Sequence, residues 1–277
     1  GFGSRYNPRL GGVEPLAGRP QMSQSRSFTL RTIFTTAAVV AVFVLDGGSL
    51  AQAQGDPTLT EVWEPEPSMV IPGASGGAPS DAVVLFDGTD LSAWESQNGS
   101  EAAWVVDADA GIFTVDPDAG DIVTKQGFGD VQLHVEWRTP AVVRGRSQNR
   151  GNSGVYLQSL YEVQVLDSYE NPTYVNVQAG AIYKQHIPLV NASRAPGTWQ
   201  TYDIIFMAPR FGADGSVERP ATMTVLHNGI LIQNHAVLTG ASANVGEATY
   251  EAHGPLPLLL QDHDHPVSYR NIWLREL

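Results

Sequence analysis

Acidic and amide side chains alternate with apolar ones in GNSGVYLQSLYEVQVLDSY, residues 151–169. Neighbouring side chains of a β-strand point to opposite faces, so Glu162 and Gln164 would share one face and the intervening valines the other. Asp167 is one step out of phase, and a β-bulge would return it to the same face. Two carboxyl groups on one face could perform acid–base cleavage of a glycosidic bond. We therefore predict Glu162 and Asp167 as a catalytic pair, with the Gln164 amide binding a sugar hydroxyl between them.

This order of carboxylate, polar and carboxylate residues resembles the catalytic strand of the laminarinase-type glycoside hydrolases, whose motif is Glu-x-Asp-x-x-Glu. In this chain the middle residue is Gln164 and the last is the shorter Asp167. The glutamine removes a charge from the strand, which argues against simple retention by the laminarinase mechanism.

A second group of candidates lies in QDHDH, Gln261–His265, directly after an apolar run. His263 is predicted to be a general acid or base near neutral pH, with Gln261 binding the substrate. A metal site formed by His263, Asp262 and Asp264 is an alternative, although the spacing matches no strict metal motif. A polar hairpin loop is the third interpretation.

Six further side chains are predicted to bind the substrate. They are Glu136, Asn152, Tyr156, Lys125, Lys184 and His235. Several have an ordinary structural alternative, because lysines are commonly solvated, Asn152 suits a tight turn and His235 could cap a hairpin. No cofactor is predicted, and calcium or another divalent ion is left open.

The segment from Met22 to Ala53 is typical of a secretory signal peptide. Two arginines precede an apolar run at Ile33–Leu45, and Ala51–Ala53 forms an A-x-A cleavage site. The apolar run has about thirteen residues, fewer than the roughly twenty that span a bilayer, so cleavage is favoured over a transmembrane anchor. The chain contains no Cys, which excludes lipid attachment at Cys, disulfides and thiolate metal sites. We predict a bacterial protein of the periplasm or the extracellular space, and residues 1–21 receive no interpretation.

The net charge also limits the partners. It is −13 for the whole chain, and removal of residues 1–53 takes away five Arg, Glu14 and Asp46, leaving −16. Such an acidic surface repels nucleic acid and anionic membranes. A neutral carbohydrate is compatible with it.

The composition divides the chain into a linker or extended arm at 54–80 and one domain at 81–277. Period-two alternation dominates the domain, most clearly at Val131–Arg138, and turn signals such as Asn228-Gly229 separate the strand-like runs. No segment gives a convincing amphipathic helix. The pattern predicts an all-β sandwich.

Six segments together resemble the 3-keto-disaccharide hydrolase family, formerly a domain of unknown function. They are LFDGTDLSAWE (85–95), DIVTKQGFGDVQLHVEWRTP (121–140), GNSGVYLQSLYEVQVLDSY (151–169), GAIYKQHIPLVNASRAPGTWQTYDIIFMAPRF (180–211), LHNGILIQNH (226–235) and LLLQDHDHPVSYRNIWLREL (258–277). The resemblance implies a two-sheet antiparallel jelly roll of the concanavalin A-like lectin/glucanase type with its site on the concave face. It further implies that the first and last strands pair, and that Trp94, Trp104 and Trp137 lie in the core.

The family resemblance also implies an unusual reaction. A ketone at C3 of a glycoside acidifies the C2 proton, so the glycosidic bond can break by β-elimination and water can add back afterwards. That route needs a base, an acid and donors for the enolate oxygen. Ordinary glycosidases instead need two carboxyl groups about 5–5.5 Å apart for retention or about 6.5–9.5 Å apart for inversion.

Three functions remain possible at this point. The first is a secreted glycoside-cleaving enzyme that acts on keto-glycosides supplied by a partner sugar 3-dehydrogenase. The second is a non-catalytic carbohydrate-binding module of the lectin type. The third is an envelope protein that uses the sandwich as an interaction surface. The sequence favours the first because of the predicted carboxylate pair.

Overall fold

The computed structural model describes residues 56–277, so the predicted signal peptide and residues 1–21 lie outside the described residues. The chain divides into two compact units, Gly1–Glu64 and Pro65–Leu277. The described part of the first unit contains one 3-10 helix, Pro57–Thr60, capped by the Asp56 side chain. Within residues 56–277, no helix has the length and apolar character needed to cross a membrane.

The second unit is built almost entirely of β-strands. In chain order they are β1 (Val83–Phe86), β2 (Trp94–Ser96), β3 (Val105–Asp107), β4 (Ile112–Thr114), β5 (Ile122–Phe128), β6 (Val131–Arg138), β7 (Ser153–Leu157), β8 (Tyr161–Val165), β9 (Gln200–Met207), β10 (Arg210–Phe211), β11 (Val217–Arg219), β12 (Thr222–His227), β13 (Ile230–Val237), β14 (Leu256–Leu260) and β15 (Ser268–Glu276). Its helices are short 3-10 turns at Ala74–Gly76, Ser147–Asn149 and Val175–Val177.

The strands form two large antiparallel sheets. The eight-stranded sheet has the order β13-β12-β9-β6-β15-β4-β3, with β1 pairing to β15. The five-stranded sheet has the order β2-β5-β14-β7-β8, and β10 and β11 make a separate hairpin. This is an all-β, two-sheet antiparallel jelly-roll sandwich, as predicted. The first and last strands pair, with Val83 opposite Leu274.

Strand alternation places the core between the two sheets. The four odd-numbered residues of β6, from Val131 to Trp137, are at most 1% exposed, whereas the even-numbered Glu136 and Arg138 are partly exposed on the other face. Trp94 and Trp104 are also buried in this core, which confirms their predicted placement. Burial of these large rings supplies much of the driving force for closing the sandwich.

The Asn228-Gly229 turn is the predicted two-residue hairpin between β12 and β13. Both residues have positive φ, 54° and 78°, as a type I′ turn requires. Asparagine tolerates this left-handed conformation better than most residues, and glycine adopts it without a steric cost.

The predicted arm lies partly against the outer face of the eight-stranded sheet. The Gly76 carbonyl accepts hydrogen bonds from the Trp273 indole and the Asn271 amide, both at 3.1 Å. The Ser80 hydroxyl accepts another from the Ile71 N–H at 3.0 Å. The part of the arm around Gly76, which belongs to the second unit, therefore packs on the sheet opposite to the one that carries β7 and β8.

The register of β7 and β8 determines which side chains leave the core. Tyr156 is opposite Glu162 and Gly154 is opposite Gln164, with no shift between the two strands. The odd-numbered residues of β8 join the hydrophobic core, so the even-numbered ones point to the outer face. The free edge of β8 is covered by residues 180–183, which exchange backbone hydrogen bonds with Glu162 and Gln164.

Candidate active site

A cavity of about 350 Å³ opens on the outer face of the five-stranded sheet. It brings together six of the residues predicted from the sequence. They are Glu162, Gln164, Tyr156, Asn152, Gln261 and His263. Strands β7 and β8 supply the floor, the segment before β7 supplies Asn152, and the loop after β14 supplies Gln261 and His263.

Glu162 is the buried carboxyl group of this cavity, with 3% of its surface exposed. The Tyr156 hydroxyl donates to Glu162 Oε2 at 2.7 Å, and the Gln261 amide donates to that hydroxyl at 3.2 Å. Burial disfavours the charged carboxylate and raises the pKa of Glu162 to about 8, although the Tyr156 hydrogen bond acts in the opposite direction. At neutral pH the group is therefore mostly a neutral acid that can donate a proton.

A chain of amides lies beside this acid. Gln164 Nε2 donates to Asn152 Oδ1 at 2.6 Å, and Asn152 Nδ2 donates to the Gln148 carbonyl at 3.0 Å. Gln164 Oε1 is buried and has no hydrogen-bond partner. A buried acceptor without a partner costs about 1–3 kcal/mol. A hydroxyl group of a bound ligand would remove that cost.

Gly154 gives the acid its position. A Cβ atom at this residue would lie 2.7 Å from the Tyr156 ring and 3.0 Å from Glu162 Oε1. The tyrosine ring therefore lies across the glycine, and its hydroxyl can reach the carboxyl group on the neighbouring strand. Any larger residue would push the ring away.

Four cavity residues were not predicted. They are Gln148, Tyr183, Ser242 and Asn244. Ser242 Oγ accepts from the Glu162 N–H at 2.9 Å, and Asn244 Oδ1 accepts from the Tyr183 hydroxyl at 3.2 Å. These residues lie outside the β-strands, so strand periodicity gives no signal for them. The only sequence signal was the proximity of Tyr183 to the predicted Lys184.

Asp167 is not brought together with Glu162. Strand β8 ends at Val165 without a bulge, so nothing returns Asp167 to the Glu162 face. It is 3% exposed and pairs with Arg150, whose Nε lies 2.6 Å from Asp167 Oδ2. The structure therefore does not assemble the predicted carboxylate pair, and Asp167 has a structural partner instead.

Glu136 and His235 also lie away from the cavity. Glu136 is on the eight-stranded sheet, where Arg270 Nε donates to it at 2.6 Å and the Asn271 amide at 2.9 Å. These donors and His134 lower its pKa to about 2, with the His134 hydrogen bond as the largest cause. His235 is exposed on β13, the edge strand of the same sheet. Both were predicted from alternation, which does not say which sheet a strand joins.

The two predicted lysines lie outside the cavity as well. The Lys125 ammonium donates to the Ser92 carbonyl at 2.8 Å, on strand β5, which β14 separates from β7 in the five-stranded sheet. Lys184 donates to Asn244 Oδ1 at 2.8 Å and also to the Asn244 carbonyl. It therefore acts on the cavity indirectly, through an asparagine that lines it.

The QDHDH segment does not assemble a metal site with its neighbours. Among residues 56–277, no three His, Cys, Asp or Glu side chains come close enough to hold a metal ion. The Asp262 N–H donates to Asp121 at 2.8 Å, and burial raises the pKa of Asp121. The expectation that no cofactor is needed stays a prediction.

The raised pKa of Glu162 predicts how stability depends on pH. The carboxyl group loses its proton near pH 4.5 when unfolded and near pH 8 when folded, so the folded state binds the extra proton between these values. This contribution is fully present below pH 4.5 and is lost as the pH rises through 8, with a slope of up to about 1.4 kcal/mol per pH unit. Urea unfolding across this range should show the free energy of unfolding of the wild type falling relative to that of Glu162→Gln as the pH rises, because the glutamine does not titrate. A constant difference between them would contradict the assignment.

The antiparallel two-sheet sandwich with an amide-rich cavity on one sheet defines the structural class of the protein, a jelly roll with a polar site. The family model for the 3-keto-alpha-glucoside-1,2-lyase-like domain matches residues 81–275. The chain therefore belongs to this family, which confirms the resemblance seen in the six sequence segments.

Solved structures agree with this assignment. A candidate glycosyl hydrolase from Parabacteroides distasonis is 52% identical, with a TM-score of 0.78 over 81% of this chain and 98% of that one. Another from the same organism is 21% identical, with a TM-score of 0.50 over 71% of this chain and 99% of that one, and shares the fold. None of the curated proteins matches the chain.

Proposed function

We propose that the cavity binds a glycoside whose sugar ring is oxidised at C3, and that it cleaves the glycosidic bond of this substrate. The observation that carries the proposal is the buried carboxyl group of Glu162, which accepts a hydrogen bond from Tyr156 and shares a cavity with the imidazole of His263. Burial raises the pKa of this carboxyl group and so favours its acid form. One acid and one base are the groups that elimination from a keto-glycoside requires. The unpartnered oxygen of Gln164 supplies an acceptor for a sugar hydroxyl.

The proposed elimination assigns one task to each group. His263 removes the C2 proton, and the two electrons of that C–H bond form the C1–C2 double bond. The C1–O bond to the leaving group breaks, and the departing oxygen takes the proton of Glu162. The products are an unsaturated keto-sugar and an alcohol, and addition of water to the double bond would complete a net hydrolysis.

The environment of Glu162 favours elimination over displacement by two carboxylates. The groups that surround it in the cavity are amides, hydroxyls and an imidazole, whereas Asp167 is paired with Arg150. A charged nucleophile or base opposite the acid would therefore have to come from elsewhere. Elimination needs no second carboxylate, since the ketone itself activates the proton that leaves.

The same proposal includes the source of the substrate and the location of the protein. A keto-glycoside forms by oxidation of an ordinary glycoside, which is the reaction of a sugar 3-dehydrogenase. The signal-like segment at Met22–Ala53 supports export to the periplasm or the extracellular space. An acidic protein in that location is suited to an uncharged sugar.

The experiment that tests the proposal compares methyl glucoside with its 3-keto derivative, each incubated with the purified protein. We expect methanol to be released from the 3-keto compound alone, together with an ultraviolet-absorbing unsaturated ketone. Exchange of the C2 proton with deuterium from D₂O would report the first step separately. Release from the ordinary glucoside at a similar rate would contradict the proposal and indicate conventional glycosidase chemistry.

A non-catalytic carbohydrate-binding module is the second candidate. The observation that favours it is the ion pair of Asp167, which leaves the cavity with amides such as Gln164 and Asn244 as its main polar groups. Amides bind sugar hydroxyls as both donors and acceptors. Calorimetric binding of a glycoside that the protein leaves intact, whether keto or not, would support this candidate.

A further inference from the structure

A second cavity, of about 370 Å³, lies next to the proposed active site. The two cavities are adjacent along the chain at two points. Asn152 lines the first cavity and its neighbour Gly151 lines the second; His263 lines the first cavity and its neighbour Asp264 lines the second. Asp167, which lines the second cavity, comes three residues after Gln164, which lines the first, so their Cα atoms are at most about 11 Å apart. A group attached to a sugar in the first cavity could reach this distance.

The walls of the second cavity are mainly apolar. Pro140, Val142, Val143 and Pro266 line it, and both valines are largely exposed, at 69% and 47%. Adjacent exposed apolar side chains at a cavity provide a surface that an apolar group of a ligand can cover. Sugar rings usually stack on aromatic side chains, but the walls here are aliphatic, which suits an aromatic ring better than a second sugar.

The charged side chains of the second cavity balance one another. The Arg150–Asp167 ion pair lies in its wall, and Arg144 and Asp264 also line it, so the formal charges sum to zero. His265 is a further polar residue of the lining. An uncharged ring with one hydroxyl or ether oxygen suits a wall that is mainly apolar and carries no net charge.

We infer that the second cavity binds the aromatic aglycone of a glycoside whose keto-sugar occupies the first cavity. The inference rests on the proposed function and gives it a substrate class, the aryl glycosides. The volume is at the lower end of the range for small-molecule sites, about 300–1,000 Å³, which suits a one- or two-ring group. The leaving group of the elimination would then be a phenol.

The test compares methyl and 4-methylumbelliferyl 3-keto-glucosides in the wild type, Val142→Asp and Ala243→Asp. Ala243 lines a different cavity, on the Tyr183 side of the active site, and serves as the matched control. We expect Val142→Asp to lower kcat/KM for the aryl compound about tenfold or more, to leave the methyl compound within twofold, and Ala243→Asp to leave both unchanged. For each substrate the variant is compared with the wild type, so the different intrinsic reactivities of methanol and the phenol as leaving groups do not affect the ratio.

The outcomes separate this inference from the proposed function. Equal effects of Val142→Asp on both substrates, or a selective loss of aryl cleavage in Ala243→Asp, would overturn the inference while cleavage itself stands. If the wild type cleaves neither compound, the proposed function fails. The binding of free 4-methylumbelliferone, measured by fluorescence, then shows whether the second cavity still binds an aromatic ring. Binding that Val142→Asp weakens supports an apolar-ring site, and no binding to the wild type overturns it.

Discussion

Glu162→Gln should reduce kcat for cleavage of methyl 3-keto-glucoside by about 10²–10⁴-fold, the usual contribution of a positioned general acid or base. Glutamine has the shape of glutamic acid and can still accept the Tyr156 hydrogen bond. It cannot donate a proton to the departing oxygen. Because the carboxyl group is buried and neutral at physiological pH, no buried charge is lost and the variant should fold normally. Initial rates of methanol release, measured on protein checked by circular dichroism, test this expectation.

The matched control is Glu247→Gln, the same chemical change at an exposed position of a neighbouring cavity. Its kcat should stay within twofold of the wild type. Deuterium exchange at C2 tests the two roles separately, because His263 is proposed to remove the C2 proton and Glu162 is proposed only to protonate the departing oxygen. Continued exchange in Glu162→Gln, with methanol release abolished, would identify the glutamate as the acid. Wild-type rates of release in this variant would remove it from the mechanism.

Asp167→Ala should lower the free energy of unfolding by about 3–5 kcal/mol, because it leaves the largely buried Arg150 guanidinium without its carboxylate. That is a large fraction of the stability of a typical domain. The folded fraction should nevertheless cleave methyl 3-keto-glucoside with nearly the wild-type kcat, because Asp167 does not line the first cavity. Urea unfolding and initial rates on the same preparation measure the two quantities.

The double variant Asp167→Leu with Arg150→Met removes both charges. It therefore shows how much of the loss of stability in Asp167→Ala comes from leaving the Arg150 charge unpaired. Replacing a buried ion pair by apolar residues of similar size is commonly neutral or stabilising. We therefore expect the double variant to recover most of the lost stability. A loss of kcat in Asp167→Ala as large as that of Glu162→Gln would instead restore Asp167 as a catalytic residue.

The sequence predicts the regular elements of this fold well, and for physical reasons. Strand β6 is predicted with its observed bounds, Val131–Arg138, because each alternate residue is buried against the opposite sheet. The same reasoning identifies Glu162 and Gln164 as neighbours on one outer face. Shorter strands such as β2 and β3 are not predicted, since three residues are too few to show a period.

The rest of the site depends on long-range packing that alternation does not encode. Asp167 fails as a partner of Glu162 because β8 ends without the expected bulge and Arg150, 17 residues earlier in the chain, forms an ion pair with it. The strand around Glu136 alternates between apolar and polar residues as clearly as the strand around Glu162, but it joins the other sheet. Ser242 and Asn244 reach the cavity from a long irregular loop, where only the folded structure shows which side chains point inward.

The pairing of β1 with β15 has a mechanical consequence. Val83 is opposite Leu274 and Phe86 is opposite Ile272, so the chain enters and leaves the sandwich at the same end of two antiparallel neighbours. Tension applied to both ends would load the hydrogen bonds of this pair one after another rather than all at once. The β1–β15 ladder would therefore unzip first, with the β7–β8 floor at the opposite layer still folded. Because of the same geometry, residues 82 and 277 could be linked in a circular permutant. The new termini could then be placed in the exposed Asp214-Gly215 turn.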